Sequence, residues 1–143
     1  MKFWDASALV PLIVKQLATP RMEEVYREDP LVITWWGTRV ECDSAVVRLE
    51  RTGHLAPRAA REALGRLDRL CCSWQEIQPH EVLREQARRL LRAHDLRAAD
   101  ALQLSAAISA SEGRPSSLHF VCLDERLALA ADREGFPVIG TGA

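Results

Sequence analysis

The sequence predicts one α/β domain, residues 1–143, with a mostly parallel sheet covered by helices on both faces. Three observations lead there. Short apolar runs alternate with longer stretches of helical spacing, the order that builds parallel sheets. The chain has 143 residues, a usual length for a single domain with a full core. One helical stretch, Ala98 to Ser111, is apolar nearly all round, as expected of a central, buried helix.

Each element has its own signal. Lys2 to Trp4 reads as a short first strand ending at Asp5. Ala8 to Leu17 reads as a helix, which requires Pro11 to sit in its first turn. Pro20 opens a second helix, and Leu31 to Trp35 is an apolar, β-branched strand. Thr38 to Thr52 is a helix with Gly53 as its stop. Pro57 starts the next helix, whose Ala60, Ala63, Leu64, Leu67, Leu70 and Cys71 form one stripe. A further helix begins near Pro79, with Leu83, Ala87, Leu90, Leu91 and His94 toward the core. These two helices are expected to form a hairpin. After Ala98 to Ser111 come a turn at Gly113 to Ser117, a strand at Leu118 to Leu123, a helix at Asp124 to Arg133 closed by Gly135, and a strand at Phe136 to Ile139.

Composition narrows the function. Hydrophobic residues make up 48% and charged residues 27%, which excludes a disordered chain. The net charge is −1, so no bulk positive field draws the protein onto nucleic acid, and any such contact must be local. Cys42, Cys71, Cys72 and Cys122 contain no CxxC pair and read as buried, reduced thiols. No apolar run approaches the ~20 residues of a membrane span. Lys2 leads at once to Trp4 and Asp5 rather than to the apolar core of a signal peptide, so a cytoplasmic location is expected.

Four carboxylates stand out. Asp5 and Asp124 each follow a strand and precede a helix, which puts them at the carboxyl edge of the sheet, where sites form. Glu41 lies in the first turn of the helix after the second strand, and Asp100 near the start of the buried helix. Each has an ordinary explanation. Asp5 and Asp124 suit N-caps, Thr38 and Glu41 have capping-box spacing, and Asp100 complements a helix dipole. Together they have a chemical one. Mg²⁺ takes oxygen ligands, and a cation offsets the repulsion of clustered carboxylates.

The motifs carrying these acids resemble those of PIN-domain ribonucleases, most closely the VapC-type toxins of bacterial toxin–antitoxin pairs. Phe3-Trp4-Asp5-Ala6-Ser7 is similar to the family's opening strand, and Glu41-Cys42-Asp43-Ser44-Ala45-Val46-Val47-Arg48 to its E-x-x-S-A-x-x-R helix. Leu96-Arg97-Ala98-Ala99-Asp100-Ala101-Leu102-Gln103-Leu104 resembles L-R-A-A-D-A-L-x-L, and Asp124-Glu125-Arg126-Leu127-Ala128 the last motif. The resemblance runs the length of the chain. It implies a three-layer PIN-like domain with a sheet of about five strands. It implies Mg²⁺ or Mn²⁺ held chiefly by Asp5 and Asp100, with Glu41 and Asp124 completing the cluster partly through water. Ser7 would hydrogen-bond inside the site. The implied reaction is hydrolysis of an RNA phosphodiester by an activated water, and the implied partner a small VapB-like antitoxin. A homodimer is expected. Cys122 departs from the pattern, standing where the family often has Thr or Ser.

Other residues are weighed beside these. Arg97 is placed to reach a phosphate or to pair with a site carboxylate. Arg84, Arg88 and Arg92 line one helix face that suits either RNA or solvent, with Glu85 four residues before Arg89. Trp35 and Trp36 are candidates for base stacking, and Trp35, ending a strand, better suits the core. Asp43 and Glu125 read as solvated, and no histidine has metal-ligand spacing. Two rival functions remain at this point: a non-catalytic PIN-like module binding RNA or protein, and an RNA-processing nuclease outside toxin–antitoxin systems.

Overall fold

The computed structural model describes residues 1–140. Its five strands are β1 (Lys2–Trp4), β2 (Val32–Trp35), β3 (Gln75–Ile77), β4 (His119–Cys122) and β5 (Val138–Gly140). They form one parallel sheet in the order β3-β2-β1-β4-β5. Seven helices surround it: α1 (Ala6–Ile13), α2 (Thr19–Glu28), α3 (Thr38–Arg51), α4 (Pro57–Cys71), α5 (Glu81–Ala93), α6 (Ala98–Ala110) and α7 (Glu125–Arg133).

The three layers follow from the pleat. Successive strand residues point to opposite faces, and here both faces are apolar. Phe3, Ile33, Trp35 and Phe120 pack with α5, α6 and α7. Trp4, Val32 and Val121 pack with α1, α2, α3 and α4. From β1 the chain steps outward to β2 and β3, then returns to lay β4 and β5 on the other side of β1. The sheet therefore has its topological switch point between β1 and β4, and in open α/β sheets ligands bind outside the carboxyl ends of the strands at that point.

Several expectations need correction. α4 and α5 do not form a hairpin: β3 lies between them, and they pack on opposite faces, α4 against α3 and α5 against α6. The segment Gln75-Glu76-Ile77 is a half-exposed edge strand with no apolar alternation to reveal it. α1 begins at Ala6 and ends at Ile13, so Pro11 is interior rather than in the first turn. The Thr19 hydroxyl explains the early stop: it donates to the Pro11 carbonyl at 2.7 Å and accepts the Gln16 N–H at 2.8 Å, which turns the chain before Leu17. Leu91 faces solvent, Cys72 is exposed and Cys71 half-buried. Glu85 pairs with Arg88, while Arg89 reaches Glu134. The helix stops at Gly53 and Gly135 hold, with φ of 81° and 102°, angles that cost glycine least.

Candidate active site at the carboxyl edge

The four acids stand on four elements that meet at the switch point. Asp5 follows β1 and Asp124 follows β4, while Glu41 and Asp100 lie in the first turns of α3 and α6. Their electrostatic influence runs in a chain. The charge of Glu41 acts on Asp5, that of Asp100 on Glu41, and that of Asp124 on Asp100.

Asp5 is only 4% exposed. It occupies the N-cap position of α1, yet its side chain makes no cap hydrogen bond. Instead Oδ1 accepts the Ser7 hydroxyl at 2.7 Å, and that hydroxyl in turn accepts the Leu123 N–H at 2.9 Å. Burial pushes the Asp5 carboxyl from an ordinary 3.8 up to about 7; the Ser7 hydrogen bond opposes this and the charge of Glu41 adds to it.

Glu41 does not belong to a capping box. Gly37 is the N-cap of α3, and the Thr38 hydroxyl accepts from Gln103 Nε2 at 2.8 Å. Glu41 Oε2 accepts from the same nitrogen at 2.6 Å. Its carboxyl is raised by burial, against the Gln103 hydrogen bond and with the charge of Asp100. Gln103 is 1% exposed, and nothing local in the sequence marks it: only the approach of α6 to the start of α3 makes it part of the site.

Asp100 is half-buried and raised by burial and by Asp124, while the backbone N–H and the charge of Arg97 pull it down, with Arg126 adding a weaker pull. Asp124 is exposed and does cap α7, accepting the Leu127 N–H at 2.9 Å. Arg97 is exposed beside Asp100. Cys122 is buried, its Sγ 3.8 Å from the Ser7 hydroxyl, so the thiol packs beside the Asp5–Ser7 pair. Trp35 is buried and Trp36 is 53% exposed. Glu125 faces solvent, and Asp43 is half-buried.

The donors are carboxylate oxygens, the kind Mg²⁺ takes. Among the described residues no group of three His, Cys, Asp or Glu side chains is placed to hold a metal by itself. An all-carboxylate donor set suits an ion that takes oxygen ligands and keeps several waters. It does not suit a closed tetrahedral zinc site. Among the described residues no helix is long and apolar enough to cross a membrane.

No protein-family model matches this chain, and no curated protein matches it in sequence. Solved structures do match. A chain of a toxin–antitoxin complex from Klebsiella pneumoniae aligns with a TM-score of 0.62 at 14% identity, over 99% of this chain and 98% of that one. PAE2754 from Pyrobaculum aerophilum aligns with a TM-score of 0.64 at 18% identity, over 98% of this chain and 83% of that one. At these identities the shared property is the fold: a five-stranded parallel sheet between two layers of helices.

Proposed function

We propose that this protein is a Mg²⁺-dependent endoribonuclease of the PIN type, the toxin of a toxin–antitoxin pair, with Mn²⁺ an alternative cation. The observation that carries the reading is the acidic chain at the switch point. Burial and a neighbouring carboxylate both raise Asp5, Glu41 and Asp100, and the groups acting most strongly on Asp5 and Glu41 include no cation. Such an arrangement repels itself until a divalent cation reverses the local charge.

Asp5 and Asp100 would hold that cation, with Glu41 and Asp124 reaching it partly through water. When bound, it would lower the pKa of water and neutralise charge developing on a phosphate oxygen. Ser7 would orient Asp5, and Arg97 would pair with an RNA phosphate. The likeness to a chain of a toxin–antitoxin complex supports the toxin context. A small VapB-like antitoxin, offering Arg or Lys to the acidic crevice, is the matching partner. Homodimer assembly and a cytoplasmic location complete the proposal.

Two observations favour a second reading, a module of this fold that binds RNA or protein without cutting. The carboxylate of Asp124 is engaged as a helix cap, and among the described residues no three acids are grouped to hold an ion. Incubation of the purified protein with single-stranded RNA separates the two. Cleavage with Mg²⁺ that stops in EDTA and returns with excess Mg²⁺ supports the nuclease. Binding without cleavage at saturating Mg²⁺ and Mn²⁺ would transfer the assignment to the binding module.

A further inference from the structure

We propose that Gln103 is a positioning residue of the acidic cluster, its buried amide fixing the Glu41 carboxylate against the helix that carries Asp100. The inference rests on the reading of the cluster as a cation-dependent hydrolytic site.

Gln103 lies one turn after Asp100 on α6, so the two side chains project from neighbouring positions on that helix. Its Nε2 donates to Glu41 Oε2 at 2.6 Å and to Thr38 Oγ at 2.8 Å, so one amide group serves two residues of the first turn of α3. The bond occupies one oxygen of Glu41. The other, on a half-buried side chain, is left for water or a cation.

The amide gives up something for this. Its Oε1 is buried and has no hydrogen-bond partner among the described residues. An orphaned buried acceptor is costly, and folded proteins keep few of them. Turning the amide over would offer Oε1 to the Thr38 hydroxyl, but it would also press that oxygen against the Glu41 carboxylate. The charge of Glu41 therefore sets the orientation. The Gln103 amide thus acts as a spacer between the acid of α3 and the acid of α6. It holds Glu41 near Asp100 despite their like charge.

The test is a double-mutant cycle of wild type, Gln103→Leu, Glu41→Gln and the double variant. It is read by calorimetric Mn²⁺ binding without RNA, by kcat and KM on single-stranded RNA, and by melting temperature. Gln103→Met, of similar length and without a donor, replaces Gln103→Leu should that variant not fold. A positioning role predicts that the Gln103 variant weakens Mn²⁺ binding and kcat by about tenfold. KM for RNA should stay the same, and no further loss should appear in the Glu41→Gln background. Equal losses in both backgrounds would overturn the proposal, as would a lowered melting temperature with unchanged Mn²⁺ binding and kcat. Wild type that neither binds Mn²⁺ nor cleaves RNA would instead overturn the nuclease reading itself, and this inference with it.

Discussion

The Ser7 hydroxyl donates to Asp5 Oδ1 at 2.7 Å while accepting the Leu123 N–H at 2.9 Å. One side chain thus ties the acid that ends β1 to the loop that follows β4. Those are the two strands at the switch point, and Asp124 is the next residue of that loop. The bridge thereby couples the acid after β1 to the segment that carries Asp124.

Ser7→Ala should therefore cost roughly 1–3 kcal/mol, because it leaves the half-buried Leu123 N–H and the buried Asp5 carboxylate each short of a partner. Urea unfolding measures it. A change below about 0.5 kcal/mol, the usual size for an uninvolved surface residue, would show that the bridge is not needed.

The pH dependence of the metal-free protein follows from Asp5. Its carboxyl titrates near 7 in the folded state against an ordinary 3.8. Between those values the folded state holds more protons than the unfolded one, so stability falls as pH rises through the window. The whole effect is roughly 4 kcal/mol at about 1.4 kcal/mol per unit. Glu41 and Asp100 are raised too and push the same way. Asp5→Asn cannot ionise. In EDTA it should flatten the decline between about pH 4 and 7 and be more stable than wild type above it. Wild type that gains stability steadily from pH 5 to 8 would contradict the burial argument.

Much of this was legible in the sequence, and the failures have physical reasons. β1, α3, α4, α6 and α7 carry strong local signals, and their ends fall within about two residues of expectation, the usual uncertainty of element boundaries. Asp5 and Asp124 could be placed at the carboxyl edge because a strand–acid–helix order is itself local. β3 was not legible, since its strand character comes from pairing with β2 rather than from its own residues. Without it the polarity between α4 and α5 suggested a hairpin. The capping box at Thr38 and Glu41 failed for a similar reason. Both side chains turn to Gln103, a residue 62 positions from Glu41 in sequence.

Asp124 holds two jobs that substitution can separate. Asp124→Ser keeps an N-cap oxygen for Leu127 N–H but removes the charge, whereas Asp124→Ala removes both. Asp124→Ala should lose about 1 kcal/mol of stability and Asp124→Ser much less. Both should lose RNA cleavage to a similar degree, because the missing charge is common to them. Full activity in Asp124→Ser would make Asp124 a helix cap alone.

Arg97 stands exposed at the start of α6, beside Asp100. If it pairs with a phosphate, Arg97→Ala should raise KM for single-stranded RNA severalfold. The slope of log affinity against log salt should shrink by roughly 0.7, one phosphate contact. An unchanged slope would place Arg97 in service of Asp100 instead.

The central claim is that the buried acid after β1 and the half-buried acid of α6 together create a site for a divalent cation. Calorimetric titration of Mg²⁺ into wild type and into an Asp5→Ala/Asp100→Ala double variant tests it most directly, at pH 8, above the raised pKa of Asp5. The account predicts saturable binding to wild type and at least tenfold weaker binding to the double variant. Equal affinity in the two proteins would contradict it.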